Sequence, residues 1–231
     1  MTVMKKRVIT LITAATFTLS FALTACSGTF TNNEDAAVSS SAADQEVATD
    51  TASFSCIANI PSEELNDKEK EGILFMREEE KVARDVYTYL FDKTEIRAFG
   101  NISKAEQRHM DAVKALIDRY DLTDPAAGKD YGEFSSDELQ QLYDQLINDA
   151  AAGDIAALKV GALIEEKDIL DLQKELDEHV DNKDITQVWT NLRKGSEAHL
   201  RAFVWNLKVR GVEYSPVLMS RDAFDKIINK E

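Results

Sequence analysis

Apolar side chains return every three or four residues through four long stretches of this chain, and almost nothing interrupts them. Ile73, Met76, Ala83, Tyr87 and Leu90 set the spacing in the first stretch and predict a helix over about 67–92. Ser103-Lys-Ala-Glu106 has the form of a capping box and is expected to open a second helix that runs to about Arg119. A turn-rich segment follows from Asp124-Pro125 to Gly132, and Ser135-Ser-Asp-Glu138 starts a short connecting helix ending near Gly153. The third long helix is expected from about Asp154 to Val180, the fourth from near Asp184 to just before Gly211, and a short terminal helix over about 221–229. Nine Gly and three Pro in 231 residues are too few for a turn-rich β architecture. Four long helices with a longer connection between the second and third make an all-α four-helix bundle with a crossover connection and short extra helices. Its core belongs to one domain over 61–231.

A helix face turned to a core should be apolar, because burying an ionised carboxylate costs several kcal/mol unless something compensates. Here each long helix breaks that rule. Glu80 falls on the stripe of Ile73, Ala83 and Leu90. Glu106 and His109, three apart, share a face with Ile102, Val113 and Leu116. Glu165 and Asp168, also three apart, lie beside Ala162, Ile169 and Leu172. His199 continues the stripe of Leu192, Ser196 and Phe203. These residues lie at comparable depths along their helices and are expected to converge on one layer. A metal ion is the simplest compensation, and carboxylate with imidazole but no thiolate suits iron, manganese or zinc. Each position also has an ordinary reading. Glu106 is the acid of the Ser103 capping box, Glu80 belongs to the run Glu78-Glu79-Glu80 with Glu79 as its rival, and Asp168 competes with Ile169 for the stripe. His109 alone reads as a core histidine and His179 as an exposed helix-end residue. Arg84 and Arg201 offer plain ion pairs in place of a metal.

The N-terminus reads as an address. Lys5, Lys6 and Arg7 precede an apolar run from Val8 to Leu23, which ends in Leu23-Thr24-Ala25-Cys26. Residues 1–25 are therefore expected to be a signal peptide, too short for a comfortable spanning helix. The Leu-Thr-Ala-Cys ending resembles a bacterial lipobox. That resemblance implies lipidation of Cys26, anchoring to a membrane and a place in the bacterial cell envelope; ordinary secretion with nearby cleavage is the alternative. Several acyl chains would hold stably where one is marginal. Residues 26–60, rich in Ser, Thr, Ala, Asn and Asp through residue 53, are expected to form a flexible tether with a coil reach of roughly 30 Å. Lipidation would leave Cys56, expected to be a small buried residue, as the other cysteine, with no disulfide framework. The net charge of −15 becomes about −18 once the three cations of residues 1–25 are removed, and such a surface excludes nucleic acid as a partner.

The residues also carry a family resemblance. Glu80-Lys-Val-Ala-Arg84-Asp-Val-Tyr87-Thr-Tyr89 resembles the first helix of rubrerythrins. Glu106-Gln-Arg-His109 matches their second-helix motif, and Glu165-Glu-Lys-Asp168 resembles the third, where rubrerythrins have Glu-x-x-Glu. The region from about 70 to 228 resembles the ferritin-like DUF2202 family in three segments, Met76 to Tyr87, Gly161 to Ile169 and Gly195 to Phe203. The resemblance implies a ferritin-like fold with a di-iron or mono-iron centre in the bundle core. Glu80, Glu106 and His109 would bind one ion; Glu106, Glu165 and His199, with Asp168 as a further candidate, would bind a second, weaker one. One departure stands out. The fourth helix should read Glu-x-x-His, but Ser196 precedes His199, and Glu197, two residues away, would point elsewhere on a regular helix.

The chemistry this implies is oxidation of Fe(II) by O₂ or peroxide. No Cys-x-x-Cys is encoded, which excludes a rubredoxin-type electron donor within the chain. Two other readings remain open: a non-catalytic metal-binding or interaction module of the envelope, and a metal-free bundle with its acids ion-paired. Assembly with further copies of itself is compatible with all three.

Overall fold

The computed structural model describes residues 57 and 59–230, all helix or connection. The expected signal peptide, the Cys26 lipidation site, most of the tether and Cys56 lie outside the described residues. Six helices follow in order: α1 (Asp67–Thr94), α2 (Arg97–Arg119), α3 (Asp137–Ala150), α4 (Asp154–Glu178), α5 (Lys183–Val209) and α6 (Arg221–Ile228). Among the described residues no helix is long and apolar enough to cross a membrane.

Each long helix starts where local chemistry satisfies its free N–H groups or a tight turn leaves no other course. Asn66 caps α1 by accepting from Lys68 N and Glu69 N, and Glu69 returns the bond to Asn66 N at 3.0 Å. The second oxygen of Glu69 accepts from Asp181 N and Asn182 N, so the same side chain ties the α4–α5 link to the start of α1. At the far end Glu95 takes a left-handed conformation (φ 55°), and α2 begins two residues later without a side-chain cap. This corrects the expected start at Ser103. That residue lies inside α2, where its hydroxyl donates to Gly100 O, so Glu106 is not a capping acid. Phe99 and Ile102 extend the same apolar spacing upstream, which is why the helix begins earlier.

The links α1–α2 and α4–α5 are short, so each pair forms an antiparallel hairpin. Cross-contacts set the packing of one hairpin on the other: Tyr87 meets Glu165 and Glu79 meets Lys167 between α1 and α4, while Phe99 meets Phe203 and Tyr120 meets Asp184 between α2 and α5. These pairings make facing helices antiparallel throughout, so α2 and α4 run in the same direction. The chain must therefore return the length of the bundle between them. The connection does so through α3, whose 14 residues cover about 21 Å of the way. This is the crossover that the spacing of the helices implies.

The core falls into two apolar clusters. One gathers Val86, Tyr87, Phe99, Ile102, Leu158, Phe203 and Leu207 with residues from α3 and α6. The other gathers Ile73, Met76, Val113, Leu116, Leu172, Trp189 and Leu192, with Ile57. Gly161 lets Phe203 close on α4, since a Cβ there would meet the ring at 2.7 Å.

Candidate metal centre

Polar residues separate the two clusters, supplied by all four long helices. Glu80 lies between Met76 and Ala83 on α1, Glu106 and His109 between Ile102 and Val113 on α2, Glu165 and Asp168 between Ala162 and Leu172 on α4, and Ser196 and His199 between Leu192 and Phe203 on α5. All seven are buried. Because the helical period keeps these positions on the inward face, the layer follows directly from the sequence spacing.

Within the layer the side chains form two triads that share one residue. Glu80, Glu106 and His109 each offer an atom within 4.8 Å of the others, and so do Glu106, Glu165 and His199. His109 Nδ1 is 2.8 Å from Glu106 Oε2 and 3.3 Å from Glu80 Oε2. His199 Nδ1 is 2.9 Å from Glu106 Oε1 and 3.6 Å from Glu165 Oε2. The imidazoles stack with centroids 5.5 Å apart. Glu106 thus reaches both histidines, one with each oxygen. Although Glu106 Oε1 and His199 Nδ1 are close, neither has a partner aligned for a hydrogen bond, and neither has Glu80 Oε1. Unpartnered buried acceptors cost free energy unless something electropositive meets them. Three carboxylates and two imidazoles are groups that could hold a metal ion, and the donor set suits iron, manganese or zinc.

The electrostatics agree with that donor shortage. Burial pushes the Glu80 carboxyl up to about 8, with His109 partly opposing. Burial and the charge of Glu106 push Glu165 up to about 7, with His199 opposing. Asp168 is raised well above its ordinary value by burial and by Glu80 and Glu165. For Glu106 burial acts in the same direction, but the two imidazoles outweigh it and hold the carboxyl well below the usual range. Burial would lower His199, yet Glu106 and Glu165 raise it to about 10. The shared residue is held as a carboxylate, whereas burial favours the protonated form of the outer acids.

Several ordinary readings of these positions fail. The run from Glu78 to Glu80 is not a solvated face, since all three acids are buried. Glu78 accepts from Ser135 N and Ser136 N, Glu79 pairs with Lys167, and only Glu80 enters the layer. Arg84 directs its guanidinium to Asp85 and Gln107 and does not neutralise the layer. His179, expected at the surface, folds back 2.9 Å onto Glu175 and is largely covered.

Asp168 belongs to neither triad. Its Oδ2 accepts from the Ser196 hydroxyl, and its Oδ1 is buried without a hydrogen-bond partner. Ser196 therefore holds an acid of α4 where a Glu would have projected its own carboxylate. Glu197 points away, to Lys230 and Arg193. Sequence reasoning assigned Tyr87 to the core alone; its hydroxyl also donates to Glu165 Oε1 at 2.5 Å. The signal was its place one heptad after Glu80, on the same face.

A crossover four-helix bundle in which each long helix sends a carboxylate or an imidazole to a common interior layer has the architecture of ferritin-like proteins. Residues 69–231 match the family described as "Uncharacterized protein domain (DUF2202)", and the chain belongs to it. A relative, the uncharacterized protein MJ0754 of Methanocaldococcus jannaschii, is 43% identical over 173 residues, covering 75% of this chain and 93% of its own. The crystal structure of hypothetical protein MJ0754 matches with a TM-score of 0.73 at 43% identity, over 75% of this chain and 98% of that one.

Proposed function

We propose that this chain binds a transition metal in its bundle core, iron first and manganese or zinc as alternatives. One observation carries the reading: two buried triads from four helices share Glu106, with carboxylate and imidazole atoms within 4.8 Å of one another. Glu80, Glu106 and His109 would hold one ion, and Glu106, Glu165 and His199 the other. Iron held there would supply one-electron redox chemistry toward O₂ or peroxide. The protein's share is to exclude water with the apolar clusters, to hold the Glu106 carboxylate between the two imidazoles and to orient Glu165 through the Tyr87 hydroxyl.

Metal analysis of the chain produced without residues 1–26 tests this. Bound iron is expected in the unaltered chain and lost in both Glu106→Ala and His199→Ala; oxygen consumption on adding Fe(II) then separates an enzyme from a binder. Absence of metal under all loading conditions sinks the proposal. A metal-free bundle remains the second reading, favoured only by the short contacts between the histidines and Glu106.

We extend the proposal to location. Residues 1–26 support export and lipid anchoring to a bacterial envelope through Cys26. The full chain expressed in bacteria is expected in the membrane fraction, and Cys26→Ala is expected to leave it. Equal partitioning of the two would contradict anchoring.

A further inference from the structure

Among the described residues apolar clusters flank the layer on either side along the bundle, which leaves the gaps between helices as the polar approaches to it. On the α1–α2 side the Arg84 guanidinium, paired with Asp85, bridges to Gln107. On the α1–α4 side carboxylates outnumber the one ammonium among them. Asp171, about a third exposed, and buried Glu79 both accept from the Lys167 ammonium. Asp171 and Asp168 lie close enough to Glu79 to act on its charge, and Asp168 in turn acts on Glu80 and Glu165. A series of carboxylates thus leads from the surface to the layer.

Two atoms on this series are conspicuous. Glu79 Oε2 and Asp168 Oδ1 are both buried without a hydrogen-bond partner, in residues each 6% exposed. Leaving two buried carboxyl oxygens without a partner is costly, and a passing cation, displacing any proton these groups hold, would satisfy both. Resting on the proposed metal binding, we infer that Glu79 and Asp168 form a transit site for divalent cations between α1 and α4, with Lys167 as its gate. The ammonium of Lys167 occupies the oxygens an incoming ion would use. At 29% side-chain exposure, it can release them by swinging toward solvent on its flexible stem.

Uptake of Co(II) by the full chain, followed by stopped-flow quenching of tryptophan fluorescence, tests the route. Equilibrium dialysis measures how much is finally bound. Glu79→Gln is expected to slow uptake about tenfold, the scale of lost electrostatic focusing, with the bound amount unchanged. Lys167→Met is expected to accelerate it with the helical circular dichroism of the ion-free chain unchanged, whereas faster uptake with loss of that signal would mean a loosened bundle and overturn the gate. Uptake by Glu79→Gln at the unaltered rate overturns the inference. Loss of the bound ion at equilibrium also overturns it, because Glu79 would then be a resident ligand. No uptake by the unaltered chain overturns the metal-binding proposal itself, and this route with it.

Discussion

Five consecutive charged side chains, Arg77 to Lys81, are buried on α1, and each has a different task. Arg77 makes a bidentate pair with Asp124 and donates to Met110 O. Glu78 receives the start of α3, Glu79 holds Lys167, and Lys81 reaches Asp85 and the carbonyl of Asp130. Glu80 alone turns into the polar layer, where burial favours its protonated form. In the ion-free chain at pH 7, Glu80 (about 8) and His199 (about 10) are mostly protonated, and Glu165 (about 7) is about half so. Metal ligation requires carboxylate and neutral imidazole, so every one of these groups must lose a proton as an ion binds. The sign is the same for all three: affinity rises with pH. Glu106 adds nothing to this, because its carboxyl is already ionised. Calorimetry of Mn(II) binding in buffers of different ionisation heats is expected to show about two protons released per loaded chain at pH 7. A binding heat independent of buffer would exclude these residues as ligands.

At the scale of the helices, the four long elements were legible because their stripes are long and their breakers few. The predicted third and fourth helices end within two residues of α4 and α5. The layer was legible for the same reason: Glu106 with His109, and Glu165 with Asp168, interrupt otherwise apolar faces at one level. What escaped were choices between equivalent local signals. Asn66-Asp-Lys-Glu69 and Ser103-Lys-Ala-Glu106 carry the same capping pattern, and only the left-handed turn at Glu95 decides that the first is a cap and the second lies inside a helix. The acid run on α1 escaped because its partners are 50 to 90 residues away. Ser135 and Lys167 reach it only once α3 and α4 have packed. Glu166 shows the same blindness. It stands next to Glu165 and reads as a surface acid, yet it is fully buried. Its carboxylate accepts from the Tyr214 hydroxyl and from the backbone N–H groups of Val217, Leu218 and Met219, fixing the segment that leads into α6. Adjacent glutamates thus do unrelated work, one facing the interior layer and the other holding the chain's last turn.

Across the whole molecule, the polar layer divides the core, and this makes stability depend on what fills it. Apolar contacts hold the bundle above and below, including Trp189 and Phe203, both fully buried. Between them three carboxylates face two imidazoles, and an ion-free interior of this kind forfeits stability that an apolar layer would supply. An ion that binds only the folded chain returns it through mass action, by about 2.7 kcal/mol at a free concentration a hundred times its dissociation constant. For a domain of this size each kcal/mol raises the melting temperature by about 2–4 °C, so loading is expected to raise it by about 5–10 °C. Thermal unfolding followed by circular dichroism, with and without a chelator, measures this. The rise should vanish on chelation and be absent in His199→Ala, which keeps Glu106 but loses the imidazole of the second triad. If chelator leaves the melting temperature of the metal-treated chain unchanged, the layer is self-sufficient. The histidine–carboxylate contacts would then be ion pairs in their own right, and the bundle would need nothing to complete it.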